Sequence, residues 1–187
     1  MEGIKEEYLG GARKKVFSHD FVCTAIASLC ALESRDPSTQ VGACISDKEN
    51  RIISTGFNHN PKEWSIERFP WRNDSDIIGE ENTKYPYIIH AEVDAITKCC
   101  DRRILEGSTI YVTLFPCIQC AKIIVASGIK KVVYNDRRLN TESICAERLL
   151  RECGVELVHA SMIEDYNILE ESTTSVENEE QPRIKIK

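Results

Sequence analysis

The run 116-PCIQC-120 constrains this chain more than any other feature of its sequence. Cys117 and Cys120 are three apart at the start of a predicted helix, so both thiols lie on one face and can share a metal. Pro116 is tolerated there because its missing N–H has no intrahelical partner to lose. Upstream, 90-HAE-92 opens a second predicted helix and offers His90 as a third ligand. The fold has to bring the two runs together. Zinc prefers thiolate and imidazole donors, and a catalytic zinc site keeps three protein ligands plus an exchangeable water. At helix N-termini the dipole also favours thiolate over thiol. Glu92, two residues beyond His90, sits close to such a metal without joining its ligands, which suits a general base.

Taken separately the two runs are weak signals. A lone CxxC is also a redox pair, or half of a structural zinc site with Cys99 or Cys100 as fourth ligand. Those cysteines lie down the helix predicted over 90–102, about 14 Å from His90 by helical rise. In this order, with a strand before and a helix after, the runs match the zinc deaminase signature. That chemistry needs a carboxylate near the metal that carries a proton in two directions. Glu92 takes it from the attacking water, passes it to N3 of a cytosine ring so that C4 becomes electrophilic, and protonates the departing amine. Glycine-rich phosphate loops and Ser/His/Asp arrangements are absent.

The rest of the chain reads as one α/β domain. Ser18 can cap a helix whose apolar positions Val22, Ala25, Ile26, Leu29 and Leu32 follow the helical period, and which ends before Pro37. Two strand-like runs, 41-VGACISD-47 and 51-RIISTGF-57, flank a hairpin turn. The polar stretch 58–87, with 69-FPWR-72 and 85-YPY-87, is expected to be an ordered functional loop. A strand at 109–115, a helix at 117–127, a strand at 131–135, a helix at 141–152 and a strand at 155–159 imply parallel pairing through crossover helices. Residues 1–17 are read as a loose arm or short helix, 18–160 as the domain, and 161–187 as a polar, frayed tail.

Nine cysteines, an odd number, with no hydrophobic export signal point to reduced thiols and a cytoplasmic chain. Cys23, Cys30 and Cys44 read as core filler. No apolar run reaches the length of a membrane span, and no membrane partner is expected. A net charge of −6 argues against a nucleic-acid partner and leaves room for a small phosphorylated substrate.

Beyond the zinc runs, 36-DPSTQVGACI-45, 56-GFN-58, 70-PWR-72, 83-TKYPY-87, 90-HAEVDAI-96, 111-YVTLFPCIQCAK-122 and 127-SGIKKVVY-134 together resemble the deoxycytidylate (dCMP) deaminases, particularly the eukaryotic-type branch. The resemblance covers roughly residues 18–158. It implies a three-layer α/β/α cytidine deaminase-like fold with a mixed five-stranded sheet, conversion of dCMP to dUMP, and a homo-oligomer, often a hexamer. It also implies substrate contacts at Asn58, Ala91 and Phe115, and a phosphate-facing loop 35-RDPSTQ-40 with Arg35 as its cation. Arg137 and Arg138 are alternative cations. The sequence departs from the family pattern after Asn58, where a glycine-rich run becomes 58-NHNPKEWSIERF-69, with His59 in place of glycine. That region is associated in the family with dCTP and dTTP effectors, so their role here stays open. Asp94 stands where the family often has asparagine. Three readings follow: a dCMP deaminase; a sibling acting on dCTP, a modified dCMP or an adenosine in tRNA; or a catalytically silent zinc-fold protein that binds nucleotides.

Overall fold

The computed structural model describes residues 8–9, 12–13, 16–62, 71–73 and 79–168. Within the N-terminal arm, β1 (Tyr8–Leu9) pairs antiparallel with β2 (Ala12–Arg13), so the described part is extended rather than helical. Helix α1 (His19–Ala31) starts where expected, because the Ser18 side chain accepts from the Phe21 N–H at 3.1 Å.

Strands β3 (Gly42–Ser46) and β4 (Ile52–Phe57) form the expected hairpin. Its turn is held by Asp47, which accepts from the N–H groups of Glu49 and Arg51, and Asn50 takes the left-handed conformation at φ 60°. Helix α2 (Ala91–Lys98), strand β5 (Thr109–Leu114), helix α3 (Ile118–Ala126), strand β6 (Lys131–Asp136), helix α4 (Thr141–Glu152) and strand β7 (Glu156–His159) complete the domain. The sheet order is β4-β3-β5-β6-β7, with β5, β6 and β7 parallel and the hairpin antiparallel. This is the expected mixed five-stranded sheet.

Strand alternation sorts the core into two layers. Ala43, Ile45, Ile110, Val112 and Val132 face α2, α3 and α4, together with Ile124 and Leu150. Their neighbours Cys44, Tyr111 and Val133 face α1, packing with Phe21, Cys23 and Ala27.

Three expectations are corrected. First, α1 does not bury the apolar stripe read from its sequence: Val22, Leu29 and Leu32 are exposed, and the buried face is Phe21, Cys23, Thr24, Ala27 and Ala31. Close approach decides the face. A Cβ on Gly42 would collide with the Ala27 carbonyl and lie 2.5 Å from the Ala31 nitrogen, so only small residues fit between α1 and β3. Second, the helix read over 90–102 stops at Lys98, because Cys99 is extended and Asp101 caps a separate 3-10 turn, Arg102–Leu105. Third, packing continues past residue 160. Ile163 and Tyr166 are buried against the α1 layer, while 169–187 lie outside the described residues.

On the opposite layer, Gly56 lets β4 touch α2. A Cβ there would stand 2.5 Å from both the Ala91 oxygen and the Ala95 nitrogen, and Ser54 Oγ donates to the Ala95 carbonyl at 2.6 Å. Gly56→Ala is therefore expected to destabilise the protein by about 1–3 kcal/mol through overpacking, read as a lower urea midpoint with unchanged slope.

Candidate active site

Beyond the end of β5 the chain runs through Phe115 and buried Pro116 into the N-terminus of α3. Cys117 is the N-cap of that helix, and its sulfur accepts from the Cys120 N–H at 3.5 Å. His90 is likewise the N-cap of α2. The two helix starts therefore converge. His90 Nδ1 lies 3.3 Å from the sulfur of Cys120 and 3.6 Å from that of Cys117, and the three ligand atoms all fall within 4.8 Å of one another. Cys99 and Cys100 are not part of this cluster, which disfavours the four-ligand structural alternative.

The thiols are unequal. Hydrogen bonding with Cys120, helped by His90, pulls the Cys117 thiol down to about 4. Cys120 is pushed up, first by sharing that hydrogen bond with Cys117 and then by burial. The protein alone thus stabilises one thiolate, and a second beside it needs a cation. Two thiolates and an imidazole, with no fourth ligand in the cluster among the described residues, fit zinc. Glu92 is buried beside them, and burial pushes its carboxyl up while His90 opposes the shift. A carboxyl buried beside the donors, outside their cluster, is placed to carry a proton to and from a bound molecule.

The cluster forms one end of a cleft of about 290 Å³, at the small end of ligand pockets. Asn58, Ala91 and Phe115 line it as expected. Phe115 meets Tyr134 edge to face at 4.8 Å, which fixes its ring as a wall. Asn58 is almost wholly buried: its Oδ1 accepts from the Val41 N–H at 2.7 Å and its Nδ2 donates to the Thr39 carbonyl at 3.0 Å.

Arg35 does not line the cleft. It is exposed on the outer side of its loop, because the loop turns inward at Asp36 instead. Asp36 is 3% exposed and accepts from the Ser38 N–H at 2.8 Å and from Lys84 Nζ at 2.6 and 2.7 Å. Among the described residues, Lys84 and Arg138 are the lysine and arginine that line the cleft, and Arg138 donates to Thr39 Oγ1 at 2.8 Å. Arg137 is committed elsewhere, over the Phe115 ring at 4.8 Å and paired with Glu147 at 2.6 Å. Sequence reasoning missed Lys84. It belongs to 83-TKYPY-87, already part of the resemblance, but nothing local marks it as facing residue 36. Of the long loop, 63–70 and 74–78 lie outside the described residues, and with them most of the departure after Asn58.

Residues 18–136 match the model of the cytidine and deoxycytidylate deaminase zinc-binding region. The chain belongs to this family. It is 43% identical to deoxycytidylate deaminase of Mus musculus over 127 residues, covering 67% of this chain and 70% of that protein. Identity to the Homo sapiens enzyme is 42% over the same coverage. Among solved structures, dCMP deaminase of the cyanophage S-TIM5, in complex with dCMP and dUMP, superposes with a TM-score of 0.57 at 27% identity. It covers 73% of this chain and 92% of that one. The family's zinc is the metal that the His90, Cys117 and Cys120 donors fit.

Loss of either thiolate is expected to strip the metal. Cys117→Ala and Cys120→Ala should purify with little zinc, whereas Cys99→Ala and Cys100→Ala should carry about one per chain. Elemental analysis after gel filtration decides. Zinc loss in Cys99→Ala or Cys100→Ala alone would contradict a three-ligand site.

Proposed function

We propose that this chain hydrolyses dCMP to dUMP and ammonia, with zinc held by His90, Cys117 and Cys120 and with Glu92 as proton carrier. The observation that carries this reading is a cleft whose lining combines two unlike sets of groups. The first is the soft donor set with a buried carboxyl, and the second is Lys84 with Arg138. A cytosine fits the first and a 5′-phosphate the second. The cyanophage enzyme solved with dCMP and dUMP and the deoxycytidylate deaminases at 42–43% identity support it.

When bound, zinc supplies the Lewis acidity that activates water near neutral pH. Glu92 takes one proton from the attacking water and gives it to N3 of the base as oxygen bonds to C4; it then carries the second proton, from the new C4 hydroxyl, to the amine, and the C4–N bond breaks to release ammonia. Phe115, Ala91 and Asn58 line the cleft around the base. Lys84 and Arg138 hold the phosphate and so position C4 for attack. The reaction is assigned to the unit 18–160, continued structurally to Tyr166.

Three further parts belong to this proposal. The exposed Val22 and Leu29 of α1, with Leu32 just past its end, form an apolar stripe that supports burial against another copy, hence a homo-oligomer, with a hexamer as the family precedent. A cytoplasmic location fits free cysteines throughout the described residues, where no helix is long and apolar enough to cross a membrane. Activation by dCTP is expected to be weak or absent, because an imidazole at residue 59 fills space that glycine leaves open to a nucleotide. A sigmoidal dCMP curve made hyperbolic by dCTP would contradict that.

Glu92→Gln should keep zinc and lose dCMP turnover by roughly a hundredfold or more. Arg138→Ala should raise the KM for dCMP about tenfold and leave the slow reaction of deoxycytidine unchanged, while Arg35→Ala should change neither. Ammonia release with both substrates is the assay. Equal efficiency on deoxycytidine and dCMP in the unmodified enzyme would remove the phosphate end from the reading.

A further inference from the structure

Asp94 lies one turn into α2 from His90, with its side chain only 7% exposed. Its Oδ1 is 3.1 Å from Nε2 of His59. Its Oδ2 accepts from Lys98 Nζ at 2.7 Å and from the Phe57 N–H at 3.2 Å. His59 is held from its other side as well. Its Nδ1 donates to the Asn60 carbonyl at 2.6 Å, and its backbone exchanges two hydrogen bonds with Ile89, at 3.0 and 2.8 Å. Neither His59 nor Asp94 lines the cleft. Both are positions where the sequence leaves the pattern it otherwise follows.

What the pair joins gives it a purpose. Asn58 precedes His59, and His90 follows Ile89, so each strip is one residue from the cleft. Asn58 is tied in turn to the opposite wall, through Val41 and Thr39 and through Ser34 Oγ, which donates to its carbonyl at 2.8 Å. That wall also carries Asp36 and hence Lys84. Helix α2 has independent anchors on β4, at Gly56 and Ser54. Loss of the pair leaves the strip after Asn58 tied to residue 89 by backbone hydrogen bonds alone, while helix α2 keeps its own anchors on β4.

We propose that His59 and Asp94 are positioning residues, a clamp that sets the distance between the nucleotide-binding wall and the reacting end of the cleft. The proposal rests on the deaminase reading above. The clamp acts on substrate affinity and leaves the chemical step alone.

Steady-state kinetics on the zinc-loaded, full-length enzyme test it. His59→Ala should raise the KM for dCMP about tenfold with kcat within about twofold and zinc content unchanged. His59→Gln, whose amide N–H can still donate to Asp94, should bring KM back to within about threefold of the parent. Asp94→Asn should also stay close to the parent. Its oxygen can accept from the Phe57 N–H while its NH₂ faces Nε2 of His59. A His59→Ala enzyme that melts earlier with KM unmoved overturns the clamp, as does one that loses kcat or zinc at constant KM. Failure of His59→Gln to recover KM overturns it too. A parent enzyme inactive on dCMP overturns the deaminase reading itself, and the clamp with it.

Discussion

His90 and Cys117 each cap a helix, and their side chains meet at 3.6 Å where the two helices begin. Almost everything else in the domain serves that meeting. Two helix N-termini pointing at one spot concentrate positive potential there, which suits thiolates and disfavours additional cationic side chains. Strand β5 delivers Cys117 from the centre of the sheet, and buried Pro116 fixes the entry angle. Helix α2 delivers His90 from the side, and it can lie low enough only because Gly56 has no side chain. Such a junction is held by backbone contacts on both sides.

The other end of the cleft is built differently. Its groups come from three separate stretches of chain, at residues 36–39, 84 and 138, and none is on a regular element that also carries a zinc donor. Buried Asp36 organises them. It caps its own turn through the Ser38 N–H and anchors Lys84, while Thr39 receives Arg138. A charge buried this deeply is costly unless paired, so the lysine and the aspartate stabilise one another's position inside the protein.

The contrast explains what was legible in the sequence. The donors sit on local runs with strong helix-start signals, and the hairpin, the parallel strands and the caps at Ser18, Gly128 and Gly154 are likewise written in a few adjacent residues. The phosphate end is not, because periodicity carries no distance between residues 36, 84 and 138. Arg35 has the right charge in the right loop, yet the direction of a loop is set by what its neighbour Asp36 pairs with. Helix α1 misled for a related reason. Its larger apolar residues suggest the core face, but the sheet beneath is so close at Gly42 that alanine and cysteine are what fit. The segment after residue 160 looks polar in composition, and only Ile163 and Tyr166, too sparse to make a period, hold it down.

The Lys84–Asp36 pair bears on how the enzyme lets go. Substrate and product of the proposed reaction carry the same phosphate, so any grip on it is equal before and after the chemistry and slows departure as much as it aids arrival. An ammonium already sharing two hydrogen bonds with a carboxylate meets an incoming phosphate partly neutralised. On the proposed reading, such a cation orients the nucleotide without trapping it. Residence time after the reaction is then governed by the base end, where a carbonyl has replaced the amine.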